Sequence, residues 1–222
     1  MQPPITFTPL DLRTWDRGEV FHYFSRMAPT GWSLTVEWDV TRLRAVLKDA
    51  GLRFFPAYLW LVTKTLSEQT AFTLAEVDGR LGTYSSLTPL YAVFHEDSHT
   101  FSLLWTDYDD DFRTFHAAYL RDRAQYGDRR GLLAKPGQVP PPNAYTVSCV
   151  PWVGFRHFAV HAYDGAKPYY LPSVEAGRIE ARDGRAVLPL SLTCHHAATD
   201  GWHVHQALVL LQERADGFAR YL

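Results

Sequence analysis

Cys194-His195-His196-Ala197-Ala198-Thr199-Asp200-Gly201-Trp202-His203-Val204-His205 gathers four imidazoles around one carboxylate at the end of an apolar run. The preceding segment, Ala186 to Thr193, carries the leucines of a buried strand, and the segment from near Trp202 toward Leu222 reads as a helix. Asp200-Gly201 is the turn between them. Imidazole titrates near neutrality, so one delivered by a rigid strand into a turn is suited to taking a proton from a hydroxyl or a thiol.

Two plainer readings compete with catalysis. Adjacent histidines on a strand point to opposite faces, and the His203-x-His205 pair diverges on a helix, so these rings do not converge on one ion. With no HExxH and no CxxC, no metal is expected. The other reading is a structural polar cluster, in which Asp200 is simply a turn or helix-capping residue.

Around this stretch, 222 residues with 46% hydrophobic and 14% aromatic content suffice for one large core, so residues 1–222 are expected to form a single domain. A net charge of −2 with scattered basic residues gives no reason to invoke nucleic acid or an anionic membrane. No run approaches the length of a membrane span, and Met1-Gln2-Pro3-Pro4 lacks the charged and apolar regions of a signal peptide, so a cytoplasmic protein is expected. Cys149 and Cys194 sit in apolar strand-like runs and are read as free thiols.

Asp16 to Met27 suggests a short helix, and Trp32 to Val40 alternates as a half-buried strand. Thr41 is expected to cap a helix over 42–50 that stops at Gly51, and an apolar, largely buried helix follows over 56–69. Hairpins are expected at Asp78-Gly79 and at Asp183-Gly184. Leu90–His95 and Thr100–Thr106 read as strands, Asp109–Tyr126 as an amphipathic helix, and 131–143 as a loop bordering a cleft. Strands and helices mix without strict alternation, which points to an α+β fold: an open mixed sheet covered by helices.

His196-x-x-x-Asp200-Gly201, preceded by His195, resembles the HHxxxDG signature of chloramphenicol acetyltransferases, a fold shared with the acyltransferase cores of 2-oxo-acid dehydrogenase complexes. Trp15-x-Arg17, Pro29-x-Gly31-x-Ser33-Leu34-Thr35, Tyr91-x-Val93-Phe94-His95, Thr100-Phe101-Ser102, Val147-Ser148-x-x-Pro151-Trp152-Val153-x-Phe155 and Leu188-Pro189-Leu190-Ser191 match the same family in order. The resemblance runs from about Phe7 to Gln212, without the lipoyl and linker segments of the oxo-acid complexes. It implies a two-layer sandwich assembled as a homotrimer, with the histidine of one chain facing an acceptor pocket built mostly by its neighbour.

The same resemblance implies acetyl transfer from acetyl-CoA to chloramphenicol, a resistance activity, within a ternary complex and with no tightly bound cofactor. It assigns His196 as general base, Ser148 as donor to the oxyanion, and an Arg17–Asp200 pair, expected to be buried and bidentate, as support for the turn. Tyr23, Phe24, Ala28, Thr30, Phe101, Leu103, Phe158, Val160 and Ala162 stand where the family lines its acceptor slot. Phe24 replaces a tyrosine, Ala28 a larger leucine, Thr30 often a cysteine, Thr146 an asparagine close to the reaction centre, and Glu175 a threonine that holds a water. Without a P-loop or GxGxxG, coenzyme A recognition falls to dispersed groups, with Trp152, Tyr169, Tyr170 and Arg178 as candidates. An acyltransferase for another small alcohol or thiol, or a non-catalytic protein that sequesters its ligand, remain alternatives.

Overall fold

Eleven consecutive residues of the HHxxxDG-bearing segment pair as one strand, and the rest of the molecule is arranged about it. The computed structural model describes residues 4–160 and 169–222. In chain order the elements are β1 (Phe7–Pro9), α1 (Gly18–His22), β2 (Gly31–Asp39), α2 (Thr41–Asp49), α3 (Phe54–Ser67), β3 (Leu74–Val77), β4 (Arg80–Tyr84) and β5 (Thr88–His95). There follow β6 (Thr100–Trp105), α4 (Phe112–Tyr126), β7 (Ala144–Cys149), β8 (Ser173–Ala176), β9 (Glu180–Arg182), β10 (Arg185–His195) and α5 (Gly201–Asp216).

The main sheet has the order β2-β10-β8-β7-β5-β6, with β9 also paired to β10. It is mixed: β7 runs parallel to both β5 and β8, and the other pairs are antiparallel. Pro189 is tolerated within central β10 because its position falls between the end of β8, opposite Leu190, and the end of β9, opposite Val187. Leu188, Leu190, Leu192 and Cys194 on one face of β10 join a core with Trp38, Tyr91, Val147 and Val174, beneath apolar residues of α2, α3, α4 and α5. The fold is therefore α+β, a mixed sheet with its helices on one face, as expected from the sequence.

On the opposite face the register aligns Thr35, Ser191, Glu175 and Ser148 in a polar row across β2, β10, β8 and β7. A second sheet, β1-β4-β3, packs with α1 against the turn that follows β10: Phe21, Leu74, Leu81 and Tyr170 cluster with Ala197 and Ala198. This contact holds the histidine-bearing turn between two layers.

Both hairpin turns form at the expected Asp-Gly pairs, with φ +50° and +74° in each. Gly51 ends α2 with φ +67°. Thr41 is not the cap but the first residue of α2: Val40 is the N-cap, without a side-chain bond, and just ahead of it Asp39 Oδ1 accepts from Thr41 N at 3.0 Å and from Thr41 Oγ1 at 2.6 Å. The Thr41 hydroxyl instead accepts from Ala186 N at 2.8 Å, tying α2 to β10. Asp16–Met27 divides into α1 and a π-helical turn, Tyr23–Met27, which carries Tyr23 and Phe24. β1 and β8 carry no signature in the sequence, because runs of three and four residues are too short to display a period.

Candidate active site

His196 is the first residue past β10. Its backbone N–H donates to Thr30 O at 2.8 Å, and the next turn closes as Ala198 N and Thr199 N donate to His195 O at 2.9 and 3.1 Å. These bonds fold the chain back so that His196 Nδ1 lies 3.0 Å from the carbonyl oxygen of Thr199. A carbonyl only accepts, so Nδ1 carries the proton and Nε2 presents its lone pair. Trp32 Nε1 donates to the same carbonyl at 3.3 Å, which orients the acceptor from the other side. The imidazole stacks on Phe24 at 4.0 Å and 28° and has Trp32 at 6.2 Å. Ring orientation, tautomer and a half-buried setting are thereby fixed by neighbours within the chain.

His195 holds the other tautomer. Its Nδ1 accepts from Ala197 N at 3.2 Å, and its ring meets Tyr170 edge-on at 5.0 Å. Burial first, then the neighbouring His196, lowers its pKa, so it stays neutral as a support for the turn.

Asp200 is the N-cap of α5. Oδ1 accepts from Trp202 N at 3.0 Å and from His203 Nδ1 at 2.9 Å, while Oδ2 accepts from Arg17 Nη1 at 2.5 Å. Burial would raise this carboxyl, but the Arg17 hydrogen bond and the His203 contacts outweigh it and hold the pKa at about 2. Because the carboxylate only accepts, His203 Nδ1 is the donor, and the 3.3 Å approach of Asp200 N to that nitrogen is not a second hydrogen bond. The Arg17 pair departs from expectation in its geometry: it is a single contact, and Arg17 Nε and Nη2 have no partner among the described residues. His203, which the sequence suggested only as a poor metal ligand, is the residue that closes the cap.

Ser148 does not meet His196 within one chain. It is level with Glu175 and Ser191 across the sheet, and His196 lies five positions beyond Ser191 along β10. At ordinary strand dimensions the two are about 17 Å apart along the strands and about 10 Å across them.

The expected acceptor residues divide the same way. Tyr23, Phe24, Ala28 and Thr30 gather at His196: Tyr23 meets Phe24 edge-on at 5.0 Å, and the Thr30 hydroxyl donates to Ala28 O at 2.6 Å. Leu103 and Phe101 lie on β6 at the Ser148 end, where Leu103 pairs with Ala92, and Phe158 accepts from Ser191 through its carbonyl. Val160 follows on that segment and is half exposed, and Ala162 lies outside the described residues.

The four expected coenzyme A contacts do not form one patch. Trp152 is 54% exposed, its ring on Phe94 at 4.7 Å, and Arg178 Nη1 reaches Trp152 O at 3.4 Å. Tyr169 and Tyr170 stand before β8 rather than after it. Tyr169 donates to Ala144 O at 3.3 Å, and Tyr170 is buried at 3% exposure against Phe21 and His195. Tyr170 thus packs the histidine turn and has no surface to offer a nucleotide.

Comparison with known proteins joins these observations. The family model described as chloramphenicol acetyltransferase matches residues 5–212. A chloramphenicol acetyltransferase of Staphylococcus aureus is 36% identical over 214 residues, covering 96% of this chain and 97% of the relative. A solved chloramphenicol acetyltransferase superimposes with a TM-score of 0.81 at 23% identity, covering 94% of this chain and 99% of the other. The catalytic core of a 2-oxoacid dehydrogenase complex from Thermoplasma acidophilum gives 0.65 at 19% identity, covering 90% and 94%. These two likenesses are of fold. Among the described residues, no helix is long and apolar enough to cross a membrane.

Proposed function

Because this chain belongs to the chloramphenicol acetyltransferase family, we propose that it moves the acetyl group of acetyl-CoA onto a hydroxyl of chloramphenicol, acting on 1–222 as one catalytic domain. The observation that carries the reading is the His196–Thr199 contact, which leaves Nε2 as a lone pair in the family's own motif. An alcohol is a weak nucleophile until its proton is taken, and His196 Nε2 removes that proton as the oxygen attacks the thioester carbonyl. The tetrahedral oxyanion accepts a hydrogen bond from Ser148. Collapse breaks the carbon–sulfur bond, and the imidazolium returns its proton to the coenzyme A thiolate. Acetyl-CoA is a co-substrate, so no tightly held cofactor enters the scheme.

The distance between His196 and Ser148 within one chain favours a site shared between subunits, which is the homotrimer that the family resemblance implies. Tyr23, Phe24, Ala28 and Thr30 then face Phe101, Leu103, Phe158 and Val160 of a neighbouring copy across the acceptor slot. Arg17 and Asp200 hold the turn, and Trp152 with Arg178 form the better-supported half of the coenzyme A contacts. A cytoplasmic setting, where acetyl-CoA is found, suits this reaction.

Release of free coenzyme A from acetyl-CoA and chloramphenicol, followed with a thiol reagent, tests the proposal. Release with other alcohols or thiols but not with chloramphenicol would move the chain to a different acyltransferase activity. Tight acceptor binding with no release under any acceptor would identify a sequestering protein.

A further inference from the structure

Glu175 is a carboxyl at 0% exposure in the polar row that contains Ser148. It occupies β8 directly in register with Ser148 on β7 and with Ser191 on β10, and Val174 and Ala176 beside it face the helices. Oε1 accepts from the Ser173 hydroxyl, while Oε2 has no partner among the described residues. Neighbouring strands lie about 4.8 Å apart, a gap within reach of a glutamate side chain. Ser191 on the other side is already engaged, accepting from Thr35 Oγ1 at 3.0 Å and donating to Phe158 O. Ser148, in register on β7, is the polar side chain directly beside Glu175 on the other strand.

We propose that Glu175 is a positioning residue for Ser148: in the assembled, substrate-bound site a rotation of its neutral carboxyl, whose Oε2 has no partner among the described residues, lets Oε2–H donate to Ser148 Oγ, turning the serine proton outward to the oxyanion. The inference rests on the reading of Ser148 as the oxyanion donor. A chain of donors polarises each member, so a serine that accepts from Glu175 is a stronger donor to developing charge. The proton must sit on Oε2, because Oε1 already accepts from Ser173. Once ionised, Glu175 can only accept, and the Ser148 hydroxyl turns back toward it and away from the substrate.

The surroundings favour the neutral form. Burial raises the Glu175 pKa to about 7 against the opposing Ser173 hydrogen bond. Across the sheet stand the Tyr58 phenol of α3 and the thiols of Cys149 and Cys194, all raised by burial and uncharged near neutrality. On the covering segment Arg156 and His157 are exposed, and among the described residues no cation contributes to the Glu175 shift.

Steady-state kinetics of wild type, Glu175→Gln, Glu175→Ala, Ser148→Ala and the double variant Ser148→Ala/Glu175→Ala from about pH 6 to about pH 9 test this. Wild-type kcat should fall at the alkaline end. Glutamine keeps a donor that does not ionise, so its profile should lack that fall and hold kcat within about threefold at the acid end. Alanine should lower kcat about tenfold with KM for both substrates little changed, and should add nothing in the Ser148→Ala background. A Glu175→Gln profile that superimposes on wild type, or an alanine variant with full kcat, overturns the role of Glu175 while leaving Ser148 in place. An alanine effect that persists undiminished without Ser148 also overturns it. Silent Ser148→Ala instead removes the premise.

Discussion

His196 Nδ1 donates to the carbonyl oxygen of Thr199, 3.0 Å away, and Trp32 Nε1 reaches the same oxygen at 3.3 Å. A backbone carbonyl three residues downstream, rather than a carboxylate, decides which imidazole nitrogen is free. The imidazole proposed as the base is therefore oriented by the turn itself, and anything that holds the turn holds that ring.

Removing the base should abolish the reaction while sparing the fold. His196→Ala is expected to lower kcat by at least about 100-fold, because a positioned base contributes about 10²–10⁴-fold. Activity above about a tenth of wild type, with an unchanged thermal transition, would assign the proton transfer to another group. His195→Ala should cost less, since its Nδ1 serves the turn.

The Arg17–Asp200 contact is single and partly exposed, so its loss should be modest in stability and larger in activity. Either alanine substitution is expected to cost about 1–2 kcal/mol, less than a buried bidentate pair, and the double variant should fall short of the sum. Strict additivity in denaturant unfolding would show that the two residues act independently. Because the carboxyl is held at about 2, its contribution is present above the ordinary aspartate range and fades as pH falls toward that value.

Ser148→Ala should reduce kcat with little effect on either KM, because the oxyanion it serves exists only in the tetrahedral state. One such donor contributes about 2.7–4 kcal/mol in well-studied acyl-transfer sites. A tenfold rise in acceptor KM at constant kcat would make Ser148 a ground-state contact instead.

A site divided between subunits can be rebuilt from two inactive proteins. Unfolding His196→Ala and Ser148→Ala together and refolding the mixture should restore activity to about a quarter of the sites if assembly is random. No recovery, with mixed oligomers demonstrated by mass, would place both residues in a site belonging to one chain.

Glu175 also carries a stability signature. Its folded-state carboxyl is raised from 4.5 to about 7, so the folded protein holds the proton more tightly than the unfolded chain. Stability is then fully present below the lower value and is lost as pH rises through the upper one. Melting temperatures should decline across that window in wild type and stay flatter in Glu175→Gln. Parallel curves for the two proteins would count against a buried neutral carboxyl.

Much of this was legible in the chain. The leucine-rich run before His196, the two Asp-Gly turns and Gly51 each express a local rule: strand burial or a backbone with positive φ. Thr41 misled because Asp39, two residues earlier, offers a better acceptor, and the threonine hydroxyl was drawn to Ala186 instead. Tyr170 looked available to a nucleotide only because burial cannot be read at a lone aromatic residue.

The sequence by itself determined the strand–turn–helix that carries His196 and Asp200, since their relation is local and fixed by turn chemistry. Only tertiary structure decided that Arg17, 183 residues away, meets Asp200 with one nitrogen, and that Glu175 lies level with Ser148. It also decided that Ser148 is remote from His196 in the same chain. The physical reason is register. A strand pattern says which face a side chain takes, but the partner across the sheet is set by pairing among segments distant in sequence, and no period in one segment encodes it.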